Sequence, residues 1–132
     1  MKTNLYKALF LTCVFACLAV PAEAADRIRA GQWDGTTTMA GGRMRPSSSC
    51  MTQSDADALN GDAKTVQAYL EKAIPPTICK VSDVKVNGGQ VIYTSVCRGV
   101  KNVITTNYHG DSFEGTTTDG TKTEAKRVGA CK

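Results

Sequence analysis

The chain has 132 residues, with six cysteines, one histidine and a formal net charge of +4 at pH 7. A length of this order predicts one domain, and the scattered basic residues, interleaved with acidic ones, argue against a nucleic-acid-binding protein. The single histidine excludes a metal site built on several imidazoles and restricts the choice of a catalytic triad.

Residues 1–24 are predicted to be a signal peptide. A basic start precedes an apolar run over 8–20, and Pro-Ala-Glu-Ala at 21–24 has the small-x-small pattern of a cleavage site. The apolar run is too short to span a bilayer, and residues 25–132 contain no second run of that kind. We therefore expect cleavage near Ala24 and a periplasmic or secreted mature protein without a transmembrane segment.

An alternative interpretation of the same segment is a lipoprotein signal. Val-Phe-Ala-Cys at 14–17 resembles a lipoprotein cleavage box, and cleavage there would leave a lipid anchor on Cys17. Phe15 is bulky where a small residue is usual, and the apolar run continues after the cysteine where a polar tether would begin. The sequence therefore favours the form without a lipid.

Residues 25–132 are predicted to form a single disulfide-stapled β domain. The cysteines in this range are Cys50, Cys79, Cys97 and Cys131. Valine, isoleucine and threonine predominate over leucine, which is typical of strands. A domain of this size has a small core, so two disulfides worth about 2–4 kcal/mol each would contribute much of its stability. An oxidising compartment makes such bridges the expected state of these cysteines.

Turn signals divide this domain into seven short runs rich in strand formers. Glycine-containing turns are predicted at 41–42, 87–89, 109–111 and 119–120. The runs between them are 32–39, 43–49, 79–86, 90–97, 100–108, 112–118 and 121–128. Short strands joined by tight turns predict a mainly β fold, an antiparallel meander that forms a curved sheet or a partly open barrel.

A short helical insert is predicted at about 53–73, between the second and third strands. Thr52 and Asp55 have the spacing of a helix N-cap pair, and Asp62 can cap a second helix that Pro-Pro at 75–76 ends. Apolar residues recur at helical spacing on one side of the second helix. We expect this side to pack on the sheet.

The predicted hairpin around 87–89 places two cysteines opposite each other. A three-residue loop there pairs Val86 with Gln90, and the same register pairs Cys79 with Cys97. A two-residue turn would shift the two cysteines by one position, and a bridge would then require local distortion.

We therefore favour the pairs Cys79–Cys97, within the hairpin, and Cys50–Cys131, which would tie the helical insert to the C-terminus. Four cysteines allow three connectivities, so the other two stay open at this point. The absence of a Cys-x-x-Cys pair disfavours zinc, and no cofactor is expected.

The sequence gives no strong sign of catalysis, and we expect a protein that is not an enzyme. A Ser–His–Asp arrangement would need His109 with Asp111 and one of the serines at 47–49, but the histidine lies in what reads as a polar hairpin turn. Asp34 and Glu114 occupy matching positions in two similar runs, Trp-Asp-Gly-Thr-Thr-Thr and Phe-Glu-Gly-Thr-Thr-Thr, whose glycines predict a bulge or bend. The two carboxylates are a weaker hypothesis, that of a hydrolase.

Four aromatic residues are candidates for a ligand pocket. Trp33, Tyr93, Tyr108 and Phe113 could line a cavity for a small apolar ligand, although the favoured interpretation is that they form the core. The leading functional hypothesis is a non-enzymatic periplasmic module that binds a small apolar ligand or an envelope partner. The alternative is a structural or interaction protein that associates through the edges of its sheet.

Several segments together resemble a known family. They are Gly-Gln-Trp at 31–33, Cys-Met-Thr at 50–52 before an acidic-Ala helix start, the two cysteines of the hairpin, Gly-Asp-Ser-Phe at 110–113 and Arg-Val-Gly-Ala-Cys at 127–131. Their order and spacing are similar to the bacterial domain-of-unknown-function family 3617, small exported proteins of the Gram-negative periplasm. Gln-Ser-Asp at 53–55 departs from the Pro-Glu-Asp that similar members often carry. The resemblance implies a periplasmic, disulfide-bonded protein and no particular activity.

Overall fold

In the computed structural model, which describes residues 26–132, seven antiparallel strands form one open sheet. The strands are β1 (Gly31–Thr38), β2 (Met44–Met51), β3 (Cys79–Asn87), β4 (Gln90–Cys97), β5 (Val100–Tyr108), β6 (Ser112–Thr117) and β7 (Lys122–Gly129). Their order in the sheet is β2-β1-β7-β6-β5-β4-β3. The predicted meander is confirmed for β3 to β7, and the β1–β2 hairpin extends it because β1 pairs with β7. The predicted signal peptide and the alternative lipid site at Cys17 lie outside the described residues.

Two helices connect the strands at opposite edges of the sheet, β2 and β3. They are α1 (Gln53–Leu59) and α2 (Ala63–Ala73), and α2 packs against β3. Thr52 and Asp55 form a reciprocal capping box at the start of α1, and the Asp62 carboxylate accepts a hydrogen bond from the backbone N–H of Thr65 at 2.8 Å. The predicted insert is therefore confirmed. No helix in the described part of the chain is long and apolar enough to cross a membrane.

The two helices give the sheet a covered face and an open face. Side chains alternate along each strand, so the strand residues that pack beneath the helices define the covered face, and the others define the open face. The core cluster on the covered side consists of Ile28, Trp33, Ala56, Leu59, Val66 and Val91, with Tyr69, Leu70, Tyr93, Tyr108 and Phe113 among the partly buried residues around it. No described helix is part of the open face.

The segment before β1 closes one end of this core. Ile28 is 1% exposed, and the amide of Asn60, at the end of α1, holds its backbone from both sides. The Ile28 N–H donates to Asn60 Oδ1 at 2.9 Å, and Asn60 Nδ2 donates to the Ile28 carbonyl at 2.8 Å. Arg27 adds hydrogen bonds to the carbonyls of Leu59 and Gly88. The segment therefore joins the helices to the end of the sheet.

The turn between β3 and β4 corrects the predicted register. Asn87 pairs with Gln90, so the turn has two residues, Gly88 and Gly89, and the predicted three-residue loop is wrong. Val86 consequently faces Val91 instead of Gln90. Gly88, with a φ of 56°, adopts the left-handed conformation that such short hairpin turns need.

A β-bulge in β3 then restores the pairing of the cysteines. The register shifts between Ser82 and Lys85, where Asp83 has a φ of 54°. Beyond this shift Cys79 lies opposite Cys97, as predicted, although the predicted turn was wrong. The local distortion that a two-residue turn requires is therefore placed in the bulge, away from the disulfide.

Both predicted disulfides are confirmed. The Cα atoms are 4.1 Å apart in Cys79–Cys97 and 5.4 Å apart in Cys50–Cys131, within or close to the usual range for a bridge. Cys50 lies in β2 and not in the helical insert, which corrects one detail of the prediction. This disulfide therefore ties an edge strand to the chain that follows β7.

The two similar runs contain no bulge at their glycines. The pairing of β1 with β7 is regular at Gly35, that of β6 is regular at Gly115, and the irregularity lies between Gln32 and Trp33. A Cβ at Gly35 would lie 2.9 Å from the Glu124 carbonyl oxygen. At this position glycine thus permits a close approach between β1 and β7, and the predicted bulge was wrong.

Candidate binding surface

The four aromatic candidates pack together on the covered face, and Tyr108 also lines a cavity of about 400 Å³ beside the segment that precedes β1. Trp33 is 3% exposed and donates its indole N–H to the Arg29 carbonyl at 3.0 Å. The Phe113 ring is 5.7 Å from the ring of Trp33 and 5.5 Å from that of Tyr108, measured between centroids. Tyr93 packs against the same cluster. The structure therefore brings the candidates together, as parts of the packed core beneath the helices.

The buried tyrosines stay protonated near neutral pH. Burial raises the pKa of Tyr108 to about 12, and burial also raises the pKa of Tyr93 and of Tyr69 on α2. Since a phenol with a raised pKa is a poor acid or base at neutral pH, these hydroxyls are not suited to proton transfer.

The open face carries a groove of about 630 Å³ that runs across β1, β7 and β6. Its lining residues are Asp34, Gly35, Thr36, His109, Ser112, Phe113, Glu114, Glu124, Ala125, Lys126 and Val128. Glu114 lies directly opposite Glu124 on the neighbouring strand, and Asp34 lies opposite Lys126. The lining of the groove is therefore mainly acidic, with three carboxylates and one lysine.

The two carboxylates of the hydrolase hypothesis share this groove but do not form a close pair. Asp34 is on β1 and Glu114 is on β6, with β7 between them. Two strand spacings put their backbones about 10 Å apart, and the two positions are also offset along the strands. Among residues 26–132, no three His, Cys, Asp or Glu side chains are grouped closely enough to hold a metal ion.

The candidate triad is not assembled. Asp111 forms an ion pair with Arg29 at 2.8 Å, whereas the nearest carboxylate to His109 Nε2 is that of Glu114, at 4.0 Å. Ser48 Oγ donates to Asp34 Oδ1 at 2.6 Å, in the β1–β2 hairpin. The serine, the histidine and the aspartate therefore belong to three separate interactions, and His109 lies in a turn as the simpler interpretation expects.

The other half of the open face, formed by β3, β4 and β5, is basic. Lys80, Val96 and Lys101 form a row across the three strands, and Lys85 lies further along β3. Asp83 is the single acidic residue in these strands and the turns between them. The alternation of side chains along each strand predicts which residues share a face, but the register of the three strands is needed to show that Lys80 and Lys101 lie in one row.

The end of this basic half combines cations with exposed aliphatic side chains. Arg98 and Gly99 form the β4–β5 turn, both at positive φ, beside the Cys79–Cys97 disulfide. Ile78 and Val100 flank the bridge and are 50% and 60% exposed. We call the group Ile78, Lys80, Arg98, Val100 and Lys101 the basic corner. No ion pair with any of its cations is present in the described part of the chain.

Both edges of the sheet carry features that oppose strand addition. In the β1–β2 turn the Met39 N–H donates to the Arg43 carbonyl, and hydrogen-bonded pairs alternate with non-hydrogen-bonded pairs along the two strands from there. Pro46 belongs to a non-hydrogen-bonded pair, so its nitrogen faces away from β1, on the free edge of β2. Proline leaves a gap in the row of donors that an added strand would use. On the other edge, the bulge at Asp83 and the charged Lys80 and Lys85 interrupt β3.

Comparison with known proteins identifies a family and nothing more specific. A family model described as "Protein of unknown function (DUF3617)" matches residues 28–131, which is nearly the whole described chain. No curated protein matches significantly. No solved structure matches significantly.

Proposed function

The chain belongs to the DUF3617 family of proteins of unknown function, and from the geometry of its sheet we propose that it is a non-enzymatic periplasmic module that binds an envelope partner through its open face. The observation that carries the proposal is the contrast between the two faces. Trp33, Phe113 and the helices fill the covered face, whereas the open face is free of described elements and carries an acidic groove in one half and a row of basic residues in the other. Such a surface suits recognition by complementary charge.

The export of the protein is part of this proposal. The predicted signal peptide would deliver it to an oxidising compartment, and both disulfides are of the kind that persists there. A sheet tied at two places also presents its surface side chains in a fixed arrangement, which lowers the entropy cost of binding.

A small ligand in the acidic groove is the second candidate function. The groove volume of about 630 Å³ lies in the range of small-molecule sites, and Val128, which is 57% exposed, adds apolar surface to its carboxylates. A ligand there would be polar or cationic, which changes the original expectation of an apolar one. Association through sheet edges has less support because of Pro46 and the bulge at Asp83.

Sedimentation with isolated cell envelopes tests the main proposal. The exported, oxidised protein is mixed with envelope vesicles of its host and centrifuged, and we expect a saturable fraction to sediment. Protein that stays in the supernatant at every concentration would contradict the proposal. Native mass spectrometry of the same preparation separates the second candidate: a mass four hydrogens below the reduced value confirms two disulfides, and an additional small adduct would favour the groove.

A further inference from the structure

We propose that the basic corner docks the domain on an anionic phospholipid surface. The inference names the partner in the function proposed above and rests on that proposal. Lys80 and Lys101 are aligned across three strands, and Arg98 extends from the turn at the same end of the sheet. Three cations thus lie at one end of a single sheet, where they can reach one plane of phosphate groups together.

The exposed aliphatic residues of the basic corner fit a bilayer interface. Ile78 precedes Cys79, and Val100 pairs with Cys97, so both flank the disulfide, and the two residues are 50% and 60% exposed. By strand alternation Val100 lies on the side of the disulfide and Lys80 and Lys101 lie on the open side, so the two kinds of side chain meet at the end of the sheet. A basic side next to an apolar side is the pattern with which peripheral proteins enter the boundary between headgroups and acyl chains. At such a boundary the cations meet phosphates while the aliphatic groups leave water.

The positive charge of the basic corner is complementary to an anionic surface, and it is not neutralised by acidic residues of the chain nearby. Within β3, β4, β5 and their turns, Asp83 is the one acidic residue beside four basic ones, and the acidic groove lies across β1, β7 and β6, in the other half of the same face. No carboxylate of the described residues pairs with Arg98 or Lys101, so these groups meet a phosphate without first breaking an ion pair.

The size of the basic corner favours a membrane over an acidic protein. A stable protein interface buries about 800 Å² on each partner, and two aliphatic side chains cannot supply the centre of such an area. A bilayer offers many identical headgroups, so a small patch suffices for weak, reversible binding. Each lysine or arginine near such a surface changes the binding constant about fivefold.

The two-residue turn at Arg98 and Gly99 allows the charge to be removed without changing the backbone. Arg98 has a φ of 50° and precedes Gly99, and Asn-Gly is the preferred pair for a two-residue turn of this kind. The double variant Arg98→Asn, Lys101→Gln therefore removes two charges and keeps the turn. The double variant Arg43→Gln, Lys122→Gln removes the same charge from two exposed positions near the β1–β2 turn, away from the basic corner and outside the lining of the groove, and is the matched control.

The experiment measures binding of the exported, oxidised protein to vesicles of phosphatidylcholine with and without phosphatidylglycerol. We expect binding only to the anionic vesicles, a loss of about 25-fold in the Arg98/Lys101 variant, and a loss of less than about threefold in the Arg43/Lys122 control. Added salt should weaken the binding, because exposed charges are screened. Melting temperatures of the three proteins verify that each is folded.

Several outcomes would overturn the inference. These are equal binding to neutral vesicles, an equal loss in the two variants, or no binding to lipid at all. If the protein sediments with envelopes but not with lipid vesicles, and protease treatment of the envelopes abolishes that binding, the partner is a protein; the proposed function then stands and the lipid inference fails. If the protein binds neither preparation, both fail.

Discussion

Replacing Asn60 by alanine should destabilise the domain by about 3 kcal/mol. The Asn60 amide makes two hydrogen bonds with the Ile28 backbone, at 2.9 and 2.8 Å, and Ile28 is 1% exposed. Removing the partner of a buried N–H or C=O costs about 1–3 kcal/mol for each group left unsatisfied. The alanine variant leaves two such groups, which gives about 2–6 kcal/mol, and because both bonds are only partly buried a value of about 3 kcal/mol, in the lower half of this range, is expected.

Urea unfolding followed by tryptophan fluorescence measures this loss directly. Trp33 is the single tryptophan and lies in the same core cluster as Ile28. The midpoint should fall while the slope with urea stays constant, since the variant changes stability and not the area exposed on unfolding. Asn60→Asp keeps the acceptor and removes the donor, so its destabilisation should also be clear.

Asn102→Ala is the matched control. Its carbonyl oxygen accepts one hydrogen bond, at 3.2 Å, from Thr118 in an exposed position. The expected change is within about 0.5 kcal/mol of the original protein. If Asn60→Ala were equally harmless, the segment before β1 would not close the core as we describe.

Three further predictions concern titration, the disulfides and the bulge. Burial raises the pKa of Tyr108 to about 12, above the usual 10, so the folded state favours the protonated phenol. The free energy of unfolding gained in this way is fully present below pH 10, and about 2–3 kcal/mol of it is lost as the pH rises to 12. Urea unfolding at several alkaline pH values measures this loss, and Tyr108→Phe should make it smaller. Replacing Cys50 and Cys131 by serine should cost about 1 kcal/mol more than replacing Cys79 and Cys97, since the sequence separations are 81 and 18 residues. Asp83→Gly should raise the melting temperature by relieving the left-handed backbone, whereas Asp83→Val should lower it.

Each of these three has a result that contradicts it. An unchanged alkaline slope in Tyr108→Phe would remove the buried phenol as its cause. Equal losses for the two cysteine pairs would mean that loop length does not set their contribution. A glycine at position 83 that destabilises the domain would mean that the aspartate side chain, which accepts a hydrogen bond from Ser82 at 3.3 Å, outweighs the backbone strain.

The local elements could be predicted from the sequence because each has a local physical cause. Thr52 with Asp55 determines where α1 begins, and glycine turns separate the strands. The cysteine pairing was also predictable, although through a turn that was wrong: the predicted loop and the observed bulge each add one residue to the same strand. The sequence does not show whether the extra residue lies in the turn or in the strand, because position 83 is an aspartate and not a glycine, the residue that most clearly indicates a bulge.

The surfaces were less predictable, because they depend on which strands become neighbours. Pairing of β1 with β7 brings Asp34, Glu124 and Glu114 into one groove, although they are far apart in the chain. Likewise, the row through Lys80 and Lys101 requires the register of three strands. The aromatic residues could be recognised as core candidates from composition, but only the position of the helices decides which face they fill.

The order of the strands also dictates a sequence of events during folding. The hairpins from β3 to β7 join neighbours along the chain, so under oxidising conditions the Cys79–Cys97 bridge can close as soon as its hairpin has formed. β1 emerges first and yet must wait for β7, the last strand, before it gains its second neighbour. Until then the β1–β2 hairpin has an unpaired edge and Cys50 lacks its disulfide partner, which makes this interval the one in which a chaperone or disulfide isomerase would have the most effect.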